Sequence, residues 1–115
     1  MKVIIAGGRD FDDYLTLNCE IDFLNNHYFK LEIVCGGARG ADTLAENYAK
    51  QLGLPVKVFP ADWDKHGKSA GYLRNQQMAE YADMLVAFWD GKSKGTKHMI
   101  DLALIHKLET HVKFY

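Results

Sequence analysis

At 115 residues the chain is shorter than the ~150 residues of an average domain, so it reads as one compact unit with no room for a separate substrate domain. Its 48% hydrophobic and 25% charged residues exclude a disordered chain, which lacks the apolar surface to fold. Lys and Arg number 14 against 15 Asp and Glu, a formal charge of -1, which argues against a domain that coats duplex DNA through basic excess.

Val3 to Ala6 is a short β-branched apolar run that ends in Gly7-Gly8, the pattern of a buried parallel strand running into a tight loop. Asp12 and Asp13 stand as caps before a first helix, from Tyr14 to about Asn26, with Leu17, Ile21 and Leu24 at helical spacing. Leu31 to Cys35 predicts a second strand, broken by Gly36-Gly37. Leu44, Ala45, Tyr48, Ala49 and Leu52 then mark the inner face of a second helix, with Gly53 as its C-cap. Pro55 to Phe59 is a third strand. The polar stretch Pro60 to Ala70 reads as a long connection, well beyond the usual ~2–6 residues between strand and helix, and such loops tend to carry function. A third long helix is expected from about Gly71 to Tyr81 and a fourth strand from Met84 to Phe88. A last helix starts near Thr96 with Met99, Ile100 and Ala103 inward, and His111 to Phe114 is the last strand.

Short strands alternating with helices imply an open α/β sandwich: about five parallel strands with helices on both faces. Ligands of such sheets bind beyond the carboxyl ends of the strands, where strand order reverses, and the glycines cluster at those ends.

Four segments there carry chemistry. In the first, Gly7-Gly8-Arg9-Asp10-Phe11, backbone N–H groups freed of Cβ can approach a phosphate or ribose and Arg9 can clamp it; the alternative is a plain turn with a surface Arg-Asp pair. The second, Gly36-Gly37-Ala38-Arg39-Gly40-Ala41-Asp42, leads from strand to helix, so the positive helix end would form an anion cradle. Asp42 either caps that helix or accepts hydrogen bonds from a ribose or base. Neither a P-loop nor GxGxxG is present. In the third, Trp63 either stacks on a base or packs as a lid hinge, and Arg74-Asn75 opens the following helix toward the crevice. The fourth, Asp90-Gly91-Lys92-Ser93-Lys94-Gly95-Thr96, repeats the strand, glycine loop and helix pattern.

Eight bases, Arg9, Arg39, Lys65, Lys68, Arg74, Lys92, Lys94 and Lys97, share these loops with seven acids, Asp10, Asp12, Asp13, Asp42, Asp62, Asp64 and Asp90. That balance favours a small ligand with an anionic part and hydroxyls over a long polyanion. The five histidines show no HExxH or paired spacing, so no metal site is expected, and no cofactor is called for. Cys19 and Cys35 lie inside helix and strand patterns without ligand spacing. No apolar run approaches a membrane span, and MKVIIAGGRD turns polar too early for a signal peptide. The expected compartment is the reducing cytoplasm, with no membrane partner.

The combination GGRDF, CGGARGAD, a Trp-bearing loop, GYLRNQQMAEYAD and FWDGKSKGT resembles, over nearly the whole chain, the SLOG superfamily of Rossmann-like domains, specifically its small YspA-type (YpsA-related) branch. That superfamily also holds the DprA single-stranded DNA-binding proteins and the LOG enzymes, which release a cytokinin base from its ribotide. The resemblance implies a sheet-end site for a nucleotide or nucleotide-derived ligand. In LOG enzymes an Arg-Lys pair precedes a Met, and a catalytic Glu follows the GT of a glycine loop. Here Arg74-Asn75 with Met78 resembles the first element with its lysine replaced, and Met99 stands where the Glu would be, three residues beyond Thr96. The expectation is therefore a domain that senses or sequesters its ligand. The alternative is an N-glycosidic hydrolase or transferase, with Arg74, Asp42 and Asp90 as candidate catalytic residues. LOG and DprA relatives associate through helices, and Tyr28-Phe29 is a candidate exposed patch for a homodimer.

Overall fold

The computed structural model describes all 115 residues. Its elements are β1 (Lys2–Gly7), α1 (Tyr14–His27), β2 (Glu32–Cys35), α2 (Ala41–Gln51), β3 (Val56–Val58), α3 (Trp63–His66), α4 (Ala70–Tyr81), β4 (Met84–Trp89), α5 (Lys94–Ile105) and β5 (Glu109–Phe114). The five strands form one parallel sheet in the order β3-β2-β1-β4-β5. The chain is Rossmann-like, with helices on both faces.

Strand periodicity sorts the core into two layers. Val3 and Ile5 of β1, Ile33 of β2, and Met84, Val86 and Phe88 of β4 point to the face covered by α1 and α2, where Leu17, Ile21, Ala45 and Ala49 meet them. Ile4, Ala6, Val34, Leu85 and Ala87 point to the other face, against Met78 and Ala79 of α4 and Met99, Ile100 and Ala103 of α5. Because β1 and β4 are buried on both faces, they read as continuous apolar runs. Right-handed crossovers from β1 to β2 to β3 lay α1 and α2 on one face. The return to β4 reverses the direction and puts α4 and α5 on the other. The switch therefore falls between β1 and β4, where the carboxyl ends diverge and leave a crevice.

Some local expectations are corrected and others hold. The stretch Pro60 to Ala70 is not a plain connection: it folds into α3 and a 3-10 turn over Gly67–Ser69. The Asp62 carboxylate caps α3, accepting from the Lys65 N–H at 3.1 Å. β5 begins at Glu109, two residues early, because its pairing with β4 starts opposite Met84, and α5 begins at Lys94. Asp13 is the residue that caps α1, accepting from the Thr16 N–H at 3.2 Å. Leu52, expected on the inner face, is exposed just beyond the end of α2, where Gly53 takes the left-handed φ of +74° that stops the helix. Cys19 is exposed, whereas Cys35 is fully buried and its thiol is pushed up to about 12 by that burial, with Asp42 adding to it. A thiol so raised is a packing group and no nucleophile. No helix is long and apolar enough to cross a membrane.

Candidate functional site

A cleft of about 480 Å³ opens at the switch point, within the ~300–1,000 Å³ typical of small-molecule sites. From the β1 loop it is lined by Gly7, Gly8, Arg9 and Asp10, from the β2 loop by Ala38 and Asp42, and from α3 and α4 by Trp63, Arg74 and Asn75. Asp90, Ser93, Gly95 and Thr96 close it from the β4 side. A second cleft of about 520 Å³ adjoins it and takes in Gly36, Gly37 and Arg39. Arg9, Ala38, Trp63 and Arg74 belong to both and so form the rim between them.

Four predicted residues line neither cleft: Phe11, Gly40, Ala41 and Gly91. Phe11 turns away from the crevice into the core, its ring 4.6 Å from Phe88 and 5.0 Å from Tyr115, because an aromatic ring gains more from burial than from a place on a wet rim. Ala41 is fully buried in the α2 packing layer. Gly91 lines a separate shallow cleft beside Lys92, Lys94 and Lys97.

The second glycine loop is satisfied from within, which corrects the picture of an open anion cradle at Gly36 and Ala38. Asp42 Oδ2 accepts from the N–H of Gly36 at 2.9 Å and of Ala38 at 3.3 Å. The Arg74 guanidinium donates through Nη1 to the Gly36 carbonyl at 2.5 Å and through Nε to Asn75 Oδ1 at 3.0 Å. A Cβ at Gly36 would fall 2.2 Å from Arg74 Nη1, so a side chain there would displace the guanidinium from its place beside the loop. Gly40, at φ +80°, packs so closely that a Cβ would meet the Gly8 carbonyl at 2.2 Å. These glycines lock two loops against each other and against Arg74.

Asp42 is buried, and desolvation raises its carboxyl to about 6 although the Ala38 N–H, Arg74 and the Gly36 N–H all favour the anion. Arg74 is pulled down by its own burial; Asp42 opposes that shift, and Arg9 adds to it by like-charge repulsion. Arg9, Arg39 and Lys68 form no ion pair. The exposed guanidinium of Arg9, unpaired beside that of Arg74 on one rim, is suited to an anion.

The other carboxylates are occupied. Asp90 Oδ1 accepts from the N–H groups of Lys92 and Ser93, both at 2.8 Å, which holds its carboxyl below the ordinary value and braces the turn into α5. Asp10 Oδ1 accepts from the Tyr115 hydroxyl at 2.7 Å. Burial raises the Tyr115 hydroxyl, with the Asp10 hydrogen bond and the charges of Asp10 and Asp90 adding to it. Asn75 is buried and bridges α4 to α5, donating to the Gly95 carbonyl and facing His98 Nδ1, each at 3.2 Å. Trp63 is 51% exposed, its ring edge lying over Gly71, where a Cβ would sit 3.4 Å from it.

Sequence reasoning placed Tyr72 in the segment between Trp63 and Arg74 and Met78 in the motif with Arg74 without assigning either to the lining, gave Ala6 no part in it, and missed Tyr115 altogether. In a parallel sheet the residue after the last strand lands beside the other strand ends, and the Tyr115 N–H bonds to the Trp89 carbonyl at 3.1 Å. Sheet topology was the clue that could have found it.

Comparison with known proteins agrees with this architecture. The chain is 41% identical over 104 residues to the Gene 61 protein of Mycobacterium phage D29, covering 84% of this chain and 83% of that protein. In fold it is similar to DNA processing protein A (DprA) from Streptococcus pneumoniae, with a TM-score of 0.80 and 20% identity over 96% of this chain. It spans only 49% of that longer chain. A structure described as a predicted subunit of tRNA methyltransferase from Methanocaldococcus jannaschii matches more loosely, with a TM-score of 0.51 and 16% identity over 97% of this chain and 67% of that one. At such identities the likeness concerns the fold alone. Residues 1–66 match the YspA, cpYpsA-related SLOG family, and the chain belongs to that family.

Proposed function

We propose that the protein binds, as a sensor or store, a nucleotide or nucleotide-derived small molecule in the cleft between β1 and β4. The observation that carries this reading is the convergence of Arg9 and Arg74 on one rim, beside the half-exposed ring of Trp63. Their mutual repulsion is relieved by a phosphate, and the indole offers a stacking face for a base. The buried carboxylate of Asp42 lies deeper and that of Asp10 stands exposed at the mouth, and the oxygen that each leaves free of protein hydrogen bonds can accept from ribose or base groups.

Mass spectrometry of small molecules released from freshly purified protein, followed by calorimetry with nucleotides and their matching nucleosides, tests the proposal. A released nucleotide-like ion, with tighter binding of phosphorylated than of unphosphorylated compounds, is the expected result. Absence of both, with a single-stranded oligonucleotide bound instead, refutes it.

One observation favours an enzyme as the second reading. Asp42, with its carboxyl at about 6, exchanges a proton near neutral pH inside the cleft, as a general acid or base must. Met99 lines the same cleft but is almost fully buried. Incubation with nucleoside monophosphates and chromatography for free base separates the two readings.

A further inference from the structure

β5 lies at the sheet margin with no strand beyond it, although it is six residues long. The Tyr115 N–H points to β4. Backbone groups alternate sides along a strand, so Glu109, His111 and Lys113 also bond inward while Thr110, Val112 and Phe114 direct their N–H and C=O groups outward. Natural edges of this length are normally blunted or covered.

The side chains of this edge are self-complementary. Glu109, His111 and Lys113 share one face and line a cleft of about 810 Å³ with Leu15, Cys19 and Phe23 of α1. Leu15 and Phe23 are each more than half exposed there. When a second β5 is laid antiparallel with His111 on the two-fold axis, Thr110 of each chain falls opposite Val112 of the other, the outward-facing residues that exchange hydrogen bonds. Glu109 of each chain then falls opposite Lys113 of the other in the pairs whose side chains approach most closely. A closed two-fold contact requires this reciprocity. In the single chain Glu109 has only His111 as partner, at 2.7 Å, and Lys113 reaches Glu20 at 3.3 Å.

The geometry points to a second copy of this chain as the occupant of the β5 edge, giving one continuous ten-stranded sheet with paired Glu109–Lys113 contacts and the exposed face of α1 covered. This interface involves none of the cleft residues and stands independently of the ligand reading.

Sedimentation velocity of the full chain at about 100 µM tests it, with circular dichroism to verify folding. A dimer is expected, and Glu109→Lys and Lys113→Glu, both at exposed positions, should each raise its dissociation constant at least tenfold by opposing like charges. Mixing the two variants places unlike charges opposite each other and restores dimerisation, as a heterodimer. Amide exchange followed by NMR reads the backbone without mutation: Thr110 and Val112 should gain protection as concentration rises, while His111 and Lys113 stay protected throughout. A monomeric wild type, single variants that dimerise normally, folded variants that fail to pair when mixed, or concentration-independent exchange at Thr110 and Val112 would each overturn the inference.

Discussion

Asp42 and Arg74 hold the two polar groups of one residue: the Asp42 carboxylate takes the Gly36 N–H at 2.9 Å, and the Arg74 guanidinium takes the Gly36 carbonyl at 2.5 Å. The β2 loop is thereby clamped between the start of α2 and the start of α4, and a charge pair is set into the wall of the cleft. This arrangement governs both the pH response of the fold and the electrostatics available to a ligand.

The raised carboxyl of Asp42 predicts a pH signature. Its value goes from the ordinary 3.8 when unfolded to about 6 when folded, so the native state binds more protons between these values. The stabilisation is full below about pH 4 and is lost as pH rises through 6, a difference of about 3 kcal/mol. Asp42→Asn keeps an acceptor for Gly36 and removes the titration. Urea denaturation at pH 4 and pH 7.5 should show wild type losing about that much more than the variant, and parallel profiles would refute the assignment.

Arg9 is exposed and makes no ion pair, so Arg9→Ala should leave the unfolding midpoint unchanged while weakening phosphorylated ligands about tenfold and nucleosides hardly at all. Arg74→Lys should act differently. Lysine cannot span both the Gly36 carbonyl and Asn75, so stability falls by about 1–3 kcal/mol along with affinity. Calorimetry alongside thermal melts distinguishes the two. Equal losses for nucleotide and nucleoside in Arg9→Ala would remove its phosphate role.

Trp63 should report on the ligand. Trp89 also fluoresces, and its indole donates to the Ser93 carbonyl at 3.0 Å, so the test belongs in a Trp89→Phe background. There a saturating nucleotide should quench Trp63 emission, and Trp63→Ala should cost about 1–3 kcal/mol of binding. An affinity indifferent to that substitution speaks against stacking.

Two glycines separate architecture from ligand contact. Gly40→Ala forces a side chain into the left-handed region and onto the Gly8 carbonyl, so it should destabilise the protein by more than about 2 kcal/mol. At Gly95 a Cβ meets nothing within 4 Å, and the residue lies in the first turn of α5. Gly95→Ala should therefore preserve or raise the melting temperature, and any affinity it loses reflects a ligand seated against it. A stable Gly40→Ala protein would contradict the loop packing described above.

The alternation of buried strands and amphipathic helices determined the parallel sheet, its five strands and the edge at which glycines gather, because those features follow from periodicity and local backbone preference. Arg9, Asp42, Trp63 and Arg74 were legible as cleft residues because they immediately follow strand ends or open helices there. Three things were decided only by the tertiary structure. Phe11 went to the core beside Phe88, the Gly36 and Ala38 amides went to Asp42, and Tyr115 came back to Asp10 across 105 residues of separation. Each depends on which loops the strand order makes neighbours. Local sequence carries no record of that choice, since a polar group takes whichever partner the packed chain brings within hydrogen-bond reach.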